Sequence, residues 1–130
     1  MYRSASKTLA ATGETKVEFD AELFDTNNNF DTTNFRYTAP VSGYYQFDWG
    51  FGTSIITPTR MFTVLYKNGS PIQRGADAAA SVQGVNGSCL VQATANDYFE
   101  IFYWSSSSGG NYGQATYKDS HFSGFLVSRT

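Results

Sequence analysis

Between Tyr44 and Phe51 the rings of Tyr45, Phe47, Trp49 and Phe51 fall at every second position, with Tyr44, Gln46, Asp48 and Gly50 between them. A period of two places alternate side chains on opposite faces of an extended strand, whereas a helix would scatter the four rings around its circumference. Four large rings on one face need covering, so the segment predicts a strand that lines a hydrophobic core. The composition agrees: aromatics reach 17% from 11 Phe, 9 Tyr and 2 Trp, while charged residues are only 15%, against roughly a quarter in an average soluble protein. Ser, Thr and Gly are plentiful and Leu and Glu scarce, which favours strands and turns over helices. No stretch keeps apolar residues at helical spacing over three turns. An all-β fold follows, and 130 residues suit one domain.

Other segments repeat the alternation. From Lys16 to Phe24, Val17, Phe19, Ala21 and Leu23 alternate with charged residues. Phe35–Thr38 reads as a short strand, and Arg60–Lys67 as one that stops at Asn68-Gly69, the pair best able to turn a hairpin, here into Ile72–Arg74. Asn86-Gly87 reads as a second turn. Ser88–Thr94 and Tyr98–Trp104 flank Ala95-Asn96-Asp97 and are expected to pair antiparallel. Ser105–Gly113 is polar and glycine-rich, as an exposed loop would be, and His121–Arg129 is expected to close the sheet. Residues 1–14, small and polar, read as an N-terminal arm or leader preceding a domain over 15–130.

A net charge of -2 offers no basic surplus for a phosphate backbone, so no nucleic-acid partner is expected. Cys89, the lone cysteine, has no partner for an intrachain disulfide and reads as a small buried hydrophobe. No apolar run approaches the roughly 18 residues that would suggest a membrane-spanning helix, so no membrane insertion is expected. The run from Asp25 to Asp31 has oxygen donors at alternate positions, like the start of a calcium loop. Phe30 stands where that loop needs glycine and Arg36 where it needs a bidentate glutamate, so turn chemistry is the better reading. His121 and Ser123 lack the Gly-x-Ser-x-Gly elbow of a hydrolase. No catalytic residues, metal ligands or cofactor are therefore assigned. Asn68-Gly69-Ser70 and Asn86-Gly87-Ser88 match the glycosylation pattern, but hairpin chemistry accounts for both. The loop ending at Tyr117 mixes small residues with aromatics, as recognition loops do, and gives Asn111, Tyr112 and Tyr117 as candidate ligand contacts.

Tyr98–Trp104 carries Phe99, Ile101 and Tyr103 on one face and Tyr98, Phe102 and Trp104 on the other, with Glu100 as the lone polar residue of that second face. The closing strand is apolar on both faces as well. In so small a domain a second apolar face is expected to meet another subunit, which makes Tyr98, Phe102, Trp104 and Phe125 candidate interface residues.

Five blocks then carry a family resemblance: Phe19-Asp20 with Phe24-Asp25 and the Asn28–Asp31 turn, Tyr37–Phe47 through Ala39-Pro40-Val41-Ser42-Gly43, Leu65–Gly69, Asn96-Asp97-Tyr98-Phe99, and Phe122–Leu126. In this order they resemble the C1q/TNF-like jelly rolls, and most of all the bacterial and bacteriophage members. The resemblance implies a ten-stranded antiparallel jelly-roll sandwich, a compact homotrimer with chain ends close together, and no catalysis. The usual Gly-Asp turn is Asn96-Asp97 here, and no collagen-like Gly-X-Y stalk is present. The function it implies is a structural or adhesive module at a bacteriophage virion surface, as a capsid decoration protein or fibre head, touching other virion proteins or a host-surface protein or glycan. A secreted, lectin-like bacterial adhesin is the alternative.

Overall fold

The computed structural model describes residues 1–10, 13–54, 58–79, 83–114 and 116–130. Among the described residues the strands run in chain order as β1 (Lys7–Thr8), β2 (Thr15–Lys16), β3 (Phe30–Asp31), β4 (Arg36–Thr38), β5 (Gly43–Ser54), β6 (Met61–Lys67), β7 (Ser70–Ala78), β8 (Gly84–Ala93), β9 (Tyr98–Ser105), β10 (Asn111–Tyr112) and β11 (His121–Arg129). They form an all-β sandwich of two antiparallel sheets. The first has β5 at its centre, with β8 along one side and β11 and β10 end to end along the other; β1 continues outward from β10. The second runs β3-β4-β9-β6-β7, and β2 pairs with β9 beyond the end of β4.

The alternation expected in β5 is the alternation observed. Tyr45, Phe47, Trp49 and Phe51 are fully buried, facing Phe99, Ile101 and Tyr103 of β9. Their rings interlock, with Phe47 against Phe99 at 4.5 Å between centroids and Phe51 stacked on Tyr103 at 4.6 Å. Asn68 and Gly69 both take positive φ (51° and 78°) and turn β6 into β7, which runs well past the expected Ile72–Arg74.

Several expectations need correction. Residues 1–10 are not a detached arm: Leu9 is 1% exposed, β1 pairs with β10, and Tyr2 bridges both Ala21 and His121. Met1 and Leu9, eight residues apart, give no periodic signal, yet these two buried side chains and a few backbone bonds dock the segment. The 16–24 strand survives as β2 and one bridge; Val17 and Phe19 are buried, but Leu23 and Phe24 leave the body and stand exposed. Asn86-Gly87 is not a turn but mid-strand in β8, where a Cβ on Gly87 would lie 2.1 Å from the Trp49 ring. β8 and β9 do not pair with each other; β8 joins β5 and β9 joins β6, so Ala95-Asn96-Asp97 carries the chain from one sheet to the other. The 105–113 loop also packs, because Asn111-Tyr112 pairs with Ser54 and Thr53 and buries the tyrosine.

Candidate assembly and binding surfaces

On the outer face of the second sheet, the candidate interface residues Tyr98, Phe102 and Trp104 point outward as the alternation requires, but each is half-buried by its own chain. Tyr66 stacks on Phe102 at 4.0 Å, and Phe62 stacks on Trp104 at 5.4 Å with 7° between planes. The Arg74 guanidinium lies 4.1 Å from the Phe62 ring centre, and that of Arg36 lies 4.8 Å from the Tyr98 ring. Glu100 on the same face is 6% exposed beneath Lys16, whose Nζ donates to Glu100 Oε1 at 2.6 Å. The hydroxyl of Tyr66 in turn donates to Glu14. Stacked rings and overlying cations thus cover much of the apolar surface that the sequence assigned to a neighbouring subunit.

Phe125, the fourth candidate, lies on the opposite sheet, so the four residues cannot form one flat contact. Its surroundings are far more exposed. The outer face of the first sheet carries Phe125 at 58%, Leu90 at 60%, Val127 at 54% and Tyr44 at 41%. Gln46 of β5 is opposite Leu90 on one side and Phe125 on the other, so the two apolar side chains flank one central residue across three strands. Towards the other end the face turns polar: Gln46 Nε2 donates to Ser88 Oγ at 2.7 Å and to Asp48 Oδ1 at 3.3 Å, and Ser123 Oγ donates to the Asp48 carbonyl. Sequence reasoning puts Val127 on the same face of the closing strand as Phe125, and missed Leu90 and Tyr44. The exposed faces of β5, β8 and β11 could be combined only once their pairing was known.

Of the candidate ligand contacts, Tyr117 is 76% exposed. Asn111 is half-buried in its pairing with Ser54 and Thr8. Tyr112 is corrected: it is 1% exposed in the core, 5.1 Å from Phe51 and 5.4 Å from Tyr103, and burial pushes its phenol well above its usual range. A surface ligand cannot reach it.

The 25–31 run behaves as turn chemistry. Asp25 accepts from the Phe30 amide at 2.7 Å and from that of Asn27, and Asp31 accepts from the amides of Thr33 and Asn34 and from Asn34 Nδ2. The hydroxyl of Ser123 is directed at a backbone carbonyl, and His121 Nδ1 lies 3.2 Å from the Lys118 carbonyl, so the two are not aligned as nucleophile and base. Among the described residues no group of three His, Cys, Asp or Glu side chains is placed to hold a metal. Burial raises the Cys89 thiol, which disfavours the reactive thiolate.

Comparison with known families gives a match to the C1q domain over residues 2–127. The chain belongs to the C1q domain family. Its fold is that of the globular domain of zebrafish complement 1qA protein, at a TM-score of 0.73 and 21% identity over 98% of this chain and 94% of that one. Two family 35 carbohydrate-binding modules show a weaker likeness. One, from an environmental isolate, has a TM-score of 0.40 at 16% identity, covering 99% of this chain and 98% of that one. The other, from Clostridium thermocellum, has a TM-score of 0.43 at 14% identity, covering 95% and 100%. The match beginning at residue 2 agrees with the docking of the first ten residues onto the sandwich.

Proposed function

We propose that this C1q domain is a non-enzymatic binding module that works as a homotrimer, assembled through the apolar half of the β5-β8-β11 face. The observation that carries the proposal is the Leu90-Gln46-Phe125 row, together with Val127 and Tyr44 beside it. Burying each such side chain contributes about 1.5–3 kcal/mol, so a few per subunit suffice to hold an assembly. The interface thereby moves from the second sheet to the first, and Phe125 alone of the four original candidates remains in it. Tyr117 stays the proposed ligand contact, since an exposed ring on a loop can stack on a glycan or fill a protein pocket. We assign the module to a virion surface, as decoration protein or fibre head, on the strength of the Tyr37–Phe47 and Phe122–Leu126 blocks, with a protein or glycan as its ligand.

Sedimentation equilibrium tests the assembly. The wild type is expected at three times 14.3 kDa, and Phe125→Asp as a folded monomer. A monomeric wild type at micromolar concentration overturns the proposal.

A further inference from the structure

The β5-β8-β11 face changes character along its length. Away from the end that carries Leu90 and Phe125 it dips into a pocket of about 440 Å³. The floor is bare backbone, because Gly52 and Gly84 stand opposite each other in the ladder and neither carries a side chain. The rim depends on glycine as well. A Cβ at Gly50 would lie 2.5 Å from His121 Cε1 and 3.1 Å from Asn86 Oδ1, and one at Gly52 would lie 2.7 Å from Asp119 Cβ. Those three side chains close in over positions that a larger residue would fill. Ser120, fully buried, fixes their segment against β5: its Oγ accepts from the Gly52 amide at 3.3 Å and donates to the Gly52 carbonyl at 3.4 Å.

The polar groups here are not spent on one another. In the middle of the face Gln46 bonds to Ser88 and Asp48, and Ser123 to the Asp48 carbonyl. In the pocket the Asp119 carboxylate and the side-chain amides of Asn86 and Gln83 have no hydrogen bond or ion pair among the described residues. Beside them the Tyr117 ring stands exposed. Lys118, also in the wall, has its Nζ 5.2 Å from the centre of the Tyr2 ring.

A carboxylate and two amides next to an exposed ring complement a sugar. Adjacent hydroxyls donate to the carboxylate, the amides donate and accept, and the C–H face of the pyranose stacks on the phenol ring. An apolar protein side chain would instead strip water from Asp119, Asn86 and Gln83 and offer them no partner. We propose that the pocket binds one neutral hexopyranose of a glycan, with vicinal hydroxyls on Asp119, further hydroxyls on Asn86 and Gln83, and the ring against Tyr117. A sugar acid would bring its charge against Asp119. The inference rests on the reading of the chain as a binding module that uses Tyr117, but not on its trimeric state, since one chain builds the pocket. A failed titration would leave the sedimentation result intact.

The isotope-labelled full chain is titrated with the methyl glycosides of glucose, galactose and mannose to about 50 mM, with amide shifts read by NMR. That is well above the Kd of about 1 mM that a ligand of this size reaches at ordinary efficiency per atom. At least one glycoside is expected to saturate, with its shifts gathered at Gly52, Gly84, Asn86 and Asp119, and to do so equally in EDTA and in Phe125→Asp. Tyr117→Ala and Asp119→Asn should each weaken binding by about tenfold or more, while Tyr117→Phe retains it. Both side chains are exposed, so these variants should keep the wild-type melting temperature. No saturation by any of the three, saturation with shifts elsewhere, or binding that Tyr117→Ala and Asp119→Asn leave untouched overturns the proposal. Loss of binding in EDTA overturns it in favour of a bridging cation, and saturation by methyl N-acetylneuraminide alone overturns it in favour of an acidic sugar.

Discussion

The indole of Trp49 is 1% exposed, donates from Nε1 to Thr63 Oγ1 at 2.8 Å, and lies over the backbone of Gly87. Neither neighbour tolerates a change of shape or polarity. Gly87→Ala puts a methyl group inside the ring's contact distance and is expected to cost about 3 kcal/mol, as overpacking of a tight core does. Thr63→Val keeps the volume but leaves a buried N–H without its acceptor, for a loss of about 1–3 kcal/mol. Urea unfolding midpoints read both, and an unchanged midpoint for Gly87→Ala would mean that the ring has room to move. The identity of Gly87 was plain in the sequence while its role was not. Asn-Gly is equally the signature of a tight turn, and only the register of β8 on β5 shows that its missing side chain makes space.

At the scale of elements, Asp97 fastens two turns together. Its carboxylate accepts from Asn68 Nδ2 and the Thr94 amide and pairs with Lys67 Nζ at 2.8 Å, while Asn68 Oδ1 accepts from the Tyr98 amide. Lys67 first, then Asn68 and the Thr94 amide, hold the acid down to about 2. A folded-state value below that of the unfolded chain means stabilisation that is complete above about pH 4 and is lost as pH falls from there to about 2. Because the group is near the surface, solvent screens much of the effect. The melting temperature should drop by a few degrees across that window, and Asp97→Ala should lower the neutral-pH value while flattening the drop. An equal acid slope in the variant would assign it to other carboxylates. This clamp was half legible: the sequence marks both turns, but not that they touch. β5 was readable from its alternation, and β6, β9 and β11 from runs of large apolar side chains bounded by turn residues. β1, β2 and β10 were not, since a two-residue strand owes its existence to the neighbour it pairs with. The candidate surface divided in the same way, as the outward direction of Phe102 was readable and the Tyr66 ring covering it was not.

For the whole molecule, the two outer faces make opposite predictions. Phe102→Asp removes the stack with Tyr66 and sets a carboxylate near Glu100. It is expected to lower subunit stability by about 1–3 kcal/mol while leaving the assembled mass unchanged. Phe125→Asp and Leu90→Asp should dissociate the proposed trimer with little loss in the stability of the monomer. Sedimentation and denaturant midpoints measured on the same samples separate the two effects, and a monomeric Phe102→Asp would return the interface to the second sheet. The arrangement of the first sheet also bears on how the chain reaches this structure. β5 makes none of its ladders with a strand next to it in sequence; its long partners are β8 and β11, with β6 and β7 passing to the other sheet in between. Distant pairings of this kind put folding in the millisecond-to-second range and defer it until β11 has been synthesised. Until then β5, bearing Tyr45, Phe47, Trp49 and Phe51, lacks the long strand that completes its sheet, so the nascent chain is most prone to aggregate, and most in need of a chaperone, in the interval before β11 emerges.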